Sequence, residues 1–226
     1  MALGRRLPLG TVVALLVLAL AACGGGSRQS STTSVTTTGA KGCVAVSPPQ
    51  GKAKHEAKPT APLDPSKTYD VKLATNCGSF TIRLAVKTSP ATTASFVSLV
   101  RKGYFDGTIF HRIVPGFVIQ GGDPTGTGTG GPGYTTVDPP PASTRYTLGL
   151  AAMAKGASDP AGASGSQFFV VTAKDAQLPP DYAVLGVVVQ GLPVVQAIGK
   201  LGDPASGGQG TPTEVVEVEK ATVDVH

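Results

Sequence analysis

Tryptophan is missing from this chain, methionine occurs twice, and aromatic residues make up only 5% of it. A core of this composition has to come mostly from Val, Leu, Ile and Ala. Charged side chains are also scarce, at 15%, while hydrophobic ones reach 41%, which excludes a chain too polar to fold. One long apolar run is present, Leu7 to Ala22, and no second follows it. That excludes a multi-span membrane protein. Three cysteines in 226 residues are too few for a disulfide-dense scaffold or a four-cysteine zinc site.

A basic face is missing too. The net charge of +5 invites a nucleic-acid reading, but position decides against it. Arg5 and Arg6 stand at the N-terminus. Residues 23–68 carry Arg28, Lys41, Lys52, Lys54, Lys58 and Lys67 against Glu56 and Asp64. From residue 69 onward, eleven basic side chains meet twelve acidic ones. A nucleic-acid reader needs its basic excess on the folded face, so no nucleic-acid partner is expected.

What is there begins with an export signal over residues 1–22. Arg5 and Arg6 form its charged region, and the apolar stretch of about 16 residues is shorter than the about 20 of a stable membrane span. Leu20-Ala21-Ala22-Cys23 resembles a bacterial lipobox, which implies cleavage before Cys23, lipidation of its thiol and attachment to the cell membrane from the extracytoplasmic side. Residues 23–64, rich in Gly, Ser and Thr and then in Pro, Lys and Ala, read as a disordered tether. Cys43 and Cys77 are the two cysteines left. Outside the cytoplasm such a pair is expected as a disulfide, closing 33 intervening residues and adding about 2–4 kcal/mol; two free thiols are the alternative.

The folded domain is expected over residues 65–226. Val71, Leu73 and Thr75 alternate, Asn76-Cys77-Gly78-Ser79 turns, and Phe80, Ile82 and Leu84 alternate again, a β-hairpin. Pro90 stands at the tolerated first position of a helix whose Phe96, Leu99 and Val100 share a face and which Gly103 closes. Strands are expected at 108–114, 117–120, 148–154, 167–172, 183–189 and 215–225, with a second helix at 192–199. About eight strands with two helices outside βαβ alternation predict a mainly β fold: a closed antiparallel eight-stranded barrel capped by two helices.

Two motif matches fail on physical grounds. Gly128, Gly130 and Gly133 fit a dinucleotide-binding spacing, but no helix N-terminus follows to hold a phosphate. Gly162-Ala163-Ser164-Gly165-Ser166 is similar to a nucleophile elbow without its last glycine. His111, with no partner at ligand spacing, offers neither a triad nor a metal site.

The informative segment is Tyr104-Phe105-Asp106-Gly107-Thr108-Ile109-Phe110-His111-Arg112-Ile113-Val114-Pro115-Gly116-Phe117-Val118-Ile119-Gln120-Gly121-Gly122-Asp123. It resembles the signature of the cyclophilin-type peptidyl-prolyl cis-trans isomerases. Gly165-Ser166-Gln167-Phe168-Phe169-Val170-Val171-Thr172 and Ala183-Val184-Leu185-Gly186-Val187-Val188 resemble two further blocks of that family, in its order and spacing. The resemblance covers about residues 69–226 and implies the family's barrel and its activity on X–Pro bonds of polypeptides, with no cofactor or metal. It implies Arg112 as the catalytic cation and Phe117, Val118, Phe169 and Leu178 as the proline pocket. Gln120, Gln167, the backbone of Ala154, and Tyr182 at the rim would hold the substrate chain.

The chemistry supports this assignment. An X–Pro amide rotates over a barrier of about 18–20 kcal/mol, and a fixed multi-donor cation that localises the nitrogen lone pair lowers it without a nucleophile. Strand alternation independently sends Gln167 and Phe169 to one face and Phe168 to the other. The chain departs from the family with Val118 for Met and with Lys155 where many members have Asn. Gln177 stands for a pocket-rim Trp, which implies weak cyclosporin binding. The expected protein is a monomeric, lipid-anchored isomerase acting on exported polypeptides. The alternative is a non-catalytic peptide-binding or chaperone module on the same fold.

Overall fold

The computed structural model describes residues 42–226. The export signal, the lipobox and Cys23 lie outside the described residues. In chain order the elements are β1 (Tyr69–Thr75), β2 (Gly78–Leu84), α1 (Pro90–Arg101), β3 (Thr108–Ile109), β4 (Arg112–Val114), β5 (Val118–Gly121), β6 (Thr136–Val137), β7 (Leu150–Met153), β8 (Ala163–Ser164), β9 (Phe168–Val171), β10 (Val184–Gln190), α2 (Leu192–Ile198) and β11 (Glu217–Val225), with a 3-10 turn at Pro204–Ser206.

The alternating hairpin forms as its pattern dictates. β1 and β2 pair with Val71 opposite Ile82 and Leu73 opposite Phe80, so the apolar set of both strands faces inward. β11 lines the other edge of β1, and β10 the other edge of β2. The sheet runs β3-β11-β1-β2-β10-β7-β9-β5-β4, nine strands joined antiparallel throughout, and β6 pairs with β8 in a separate ladder.

This corrects the closed eight-stranded barrel. The sheet curls into an open half-barrel whose two edge strands, β3 and β4, are joined in sequence by Phe110 and His111 without pairing. The edges spend their donors elsewhere: the Phe110 N–H reaches the Val216 carbonyl at 2.9 Å and the Ile113 N–H the Gly210 carbonyl at 2.7 Å. The chain leading into β11 therefore fills the seam that direct pairing would have closed. The expected single strand at 108–114 splits at the same place.

Without tryptophan, the core is built on phenylalanine. Phe96, Phe105, Phe110 and Phe168 stack edge to face or tilted, with ring centres 4.7–6.0 Å apart, inside a shell of Val, Leu and Ile. Helix α1 is buried on nearly every side. Ser89 gives it no side-chain cap; the Thr92 N–H instead donates to the Asp138 carboxylate at 2.6 Å, from the Pro-rich turn after β6.

The second correction concerns the tether. Residues 23–41 lie outside the described residues, but from Cys43 onward the chain is bound to the domain. Cys43 is bonded to Cys77 in a disulfide and is buried in the main core. The Val44 N–H donates to the Asn76 carbonyl at 2.8 Å, and the Asn76 side chain answers to the Val44 carbonyl at 2.8 Å. Farther on, the Lys52 and Glu56 N–H groups donate to Pro124 and Pro132 carbonyls, Glu56 pairs with Lys102 at 2.7 Å, and Leu63 packs on the core. A segment poor in apolar side chains attaches because extended backbone carries a donor and an acceptor at each non-proline residue.

Candidate active site

The site grows from one row of side chains across four strands. On β4 and β5, Ile113 and Ile119 point into the core, so Arg112 and Gln120, opposite each other, point out. On β9, Phe169 stands beside Gln120; on β7, Ala152 stands beside Phe169. The outward face thus carries Arg112, Gln120, Phe169 and Ala152 in register. Val118, Tyr146 and Val171 complete a second, smaller apolar cluster there, with Phe117, Leu178 and Tyr182 packed at its margin.

A cavity of about 200 Å³ opens over this cluster, lined by Arg112, Phe117, Val118, Gln120, Ala154, Lys155, Phe169, Leu178 and Tyr182. A larger one of about 600 Å³ adjoins it, sharing Gln120, Ala154 and Lys155 and bounded by the Gly-rich loop from Gly128, by Ala163–Ser166 and by Gln167. The expected catalytic and substrate-binding residues therefore line these two adjoining cavities, Gln167 in the larger and the rest in the smaller.

The Arg112 guanidinium stands 5.9 Å from the centre of the Phe117 ring and donates to the Gly208 carbonyl at 3.3 Å and, in a long bond of 3.5 Å, to Gln120 Oε1. Burial lowers its pKa, while the intrinsic basicity of a guanidinium keeps it a cation. Gln120 in turn donates to Gln167 Oε1 at 3.1 Å, and Gln167 Nε2 donates to the Gly128 and Gly130 carbonyls, both at 2.9 Å. Both amide hydrogens of Gln167 are thereby used. Gln167 holds Gln120 in place and has only its oxygen to offer a substrate. The Ala154 N–H is taken by the Gln167 carbonyl at 2.9 Å, which leaves its own carbonyl as the available group.

The Gly-rich loop rests on Asp123, which is fully buried. Its carboxylate accepts from the Thr125, Gly128 and Gly130 N–H groups and the Thr125 hydroxyl, at 2.6–3.0 Å. Burial pushes its pKa up, but these bonds outweigh burial and hold it below the usual carboxylate range. His111 lies half-buried against Gly128 with neither ring nitrogen hydrogen-bonded, and burial lowers its pKa.

Two further residues build this wall, and the first, Tyr146, escapes sequence reasoning. Tyr146 is fully buried; its hydroxyl donates to the Tyr182 carbonyl at 2.6 Å and accepts from the Tyr182 N–H at 2.9 Å. This pins Tyr182 edge-on to Phe169 at 5.4 Å. Lys155 stands out in the sequence as a departure and in the structure as a wall. Its side chain is 6% exposed, it pairs with Asp181 at 2.8 Å, and it sits 5.9 Å from the Tyr182 ring centre. The Asp181 hydrogen bond raises its pKa. Gln177 is exposed in a left-handed turn (φ 52°) and lines neither cavity.

The family described as cyclophilin type peptidyl-prolyl cis-trans isomerase/CLD matches residues 70–223. The peptidyl-prolyl cis-trans isomerase-like 1 of Gibberella zeae is 37% identical over 163 residues, covering 69% of this chain and 95% of that one. The probable peptidyl-prolyl cis-trans isomerase B of Mycobacterium tuberculosis is 36% identical over 179 residues, 72% of this chain and 56% of that one. A Cryptosporidium parvum cyclophilin type peptidyl-prolyl cis-trans isomerase superposes with a TM-score of 0.62 at 30% identity, covering 70% of this chain and 98% of that one. A second structure of it was determined in the presence of the dipeptide Ala-Pro. The chain belongs to the cyclophilin-type peptidyl-prolyl cis-trans isomerase family.

Proposed function

We propose that the chain isomerises X–Pro bonds of exported polypeptides with Arg112 as its catalytic residue, while tethered to the membrane through a lipidated Cys23. The observation that carries this reading is a guanidinium, braced by Phe117, Gln120 and the Gly208 carbonyl, at the edge of an apolar cavity of about 200 Å³. The pyrrolidine ring lies over Val118, Phe169 and Leu178. The substrate chain runs past Gln120 and the Ala154 carbonyl into the larger cavity.

In this arrangement Arg112 donates an N–H toward the prolyl nitrogen as the amide twists. The lone pair leaves conjugation and becomes an acceptor, so the bond is strongest in the twisted state. No bond is made or broken. Uncatalysed isomerisation takes tens to hundreds of seconds and limits folding, which gives such an activity a use wherever exported chains fold.

The test is protease-coupled isomerisation of an X–Pro peptide by the full chain beside Arg112→Ala. The expected loss is about 100-fold in kcat/KM, or about 2.7 kcal/mol of transition-state binding. A folded but inactive wild type would point to the peptide-binding module. Equal rates would remove Arg112 from the mechanism. Membrane attachment is tested by Cys23→Ser, which is expected to release the protein from the membrane fraction.

A further inference from the structure

The segment before residue 70 lies outside the part of the chain that matches the family, yet it is bonded to the loop that orders the catalytic row. We propose that residues 43–58 are a positioning strap for the isomerase reaction: they clamp the Gly-rich loop 124–135 from outside, and through it set Arg112. This rests on the reading of Arg112 given above.

The clamp has three bonds along its length. The Lys52 N–H donates to the Pro124 carbonyl at 2.9 Å, the Glu56 N–H to the Pro132 carbonyl at 2.9 Å, and the Lys58 ammonium to the Thr135 carbonyl at 2.9 Å. Two glycines make the approach close enough. A Cβ on Gly51 would sit 2.1 Å from the Thr125 carbonyl oxygen, and a Cβ on Gly133 would sit 2.6 Å from His55 Nδ1. The Gly51 contact is with fixed backbone and excludes any larger residue there, whereas the exposed His55 ring could turn aside and Gly133 is held to glycine by its left-handed backbone (φ 87°). The strap is itself fastened, by the Cys43–Cys77 disulfide at its start and by Glu56 to Lys102, just past the end of α1.

On its inner side the same loop is where the catalytic row ends. Gly128 and Gly130 offer their carbonyls to Gln167, Gln167 receives Gln120, and Gln120 receives Arg112. A loop with five glycines between residues 126 and 133 has great backbone freedom. Asp123 holds it from within and the strap from without. A loosened loop would carry Gln167 with it, and small displacements of a catalytic group are costly in rate.

The experiment uses the full chain with Lys52→Pro, Lys52→Ala and Gly51→Val. Lys52→Pro deletes one backbone donor at an exposed residue; Lys52→Ala keeps that donor; Gly51→Val forces the strap off Thr125. Two quantities are read: amide hydrogen exchange over residues 124–135, and kcat/KM for an X–Pro peptide below the unfolding range. Lys52→Pro and Gly51→Val are expected to speed exchange in the loop and lower kcat/KM by about tenfold, with Lys52→Ala matching the wild type in both. If Gly51→Val does not fold, Lys52→Pro carries the test. Faster loop exchange with unchanged kcat/KM would overturn the inference, as would unchanged exchange. An inactive wild type would overturn the isomerase reading and this inference with it, whereas an active wild type with unaffected variants overturns the inference alone.

Discussion

Phe168 and Phe169 are consecutive residues on one strand, and they face two different environments. Phe168 is fully buried among Phe96, Phe105 and Phe110, in a cluster that draws on both helices and most of the sheet. Phe169 belongs to a small cluster with Val118, Tyr146 and Val171, open above and edged by Arg112 and Gln120. One face of the sheet is filled by apolar side chains. The other keeps a cavity, holds a cation half-buried and uses hydrogen bonds to aim it. Stability and chemistry are divided between two sides of the same strands, four residues long in the case of β9.

Three substitutions press on that division, taken here from the largest effect down. Phe168→Ala leaves a ring-sized hole in a core that has no adjacent solvent to relax into. It is expected to cost about 3–5 kcal/mol, read as a fall in denaturation midpoint. Phe169→Ala should do the converse: kcat/KM for an X–Pro peptide falls about tenfold, equivalent to about 1.4 kcal/mol, with a smaller stability loss than Phe168→Ala. Equal stability losses would erase the contrast between the faces.

The smallest effect is a pH dependence at the loop. Asp123 is held below the ordinary carboxylate range in the folded state, so its contribution is fully present above about pH 3.9 and is lost as the pH falls through the depressed folded value. Asp123→Asn is expected to flatten the acid side of a Tm-against-pH curve. A variant as steep as the wild type would remove Asp123 from that account.

The legible parts were those in which side-chain pattern and tertiary role coincide. Val71, Leu73, Phe80 and Ile82 alternate because one face of their hairpin is buried, and they pair as that alternation requires. Arg112, Gln120 and Phe169 stand side by side because strand register carries them there, and Phe117 and Gln167 join them as the residues just before β5 and β9. Two-residue strands such as Thr136–Val137 and Ala163–Ser164 are too short to show a period. The open seam between Thr108–Ile109 and Arg112–Val114 depends on which carbonyls Phe110 and Ile113 reach, a choice that leaves no mark on residue type.

The attachment of the segment from Cys43 is hidden for a similar reason. Its composition is that of a solvated linker, but it is fixed by main-chain bonds from Lys52 and Glu56 and by the absence of a side chain at Gly51. Tyr146 hides likewise: a single aromatic in a Pro-rich stretch does not announce that its hydroxyl will hold both backbone groups of Tyr182.

The most direct test of the divided sheet measures kcat/KM and Tm on the same samples for Arg112→Lys and Phe168→Leu. Arg112→Lys keeps a charge but loses the planar fork. The account predicts a crossing: Arg112→Lys loses about 100-fold in kcat/KM with its Tm unchanged, while Phe168→Leu loses Tm and keeps kcat/KM below its unfolding range. If both variants lose rate and stability together, the two faces are not separate, and the account is wrong.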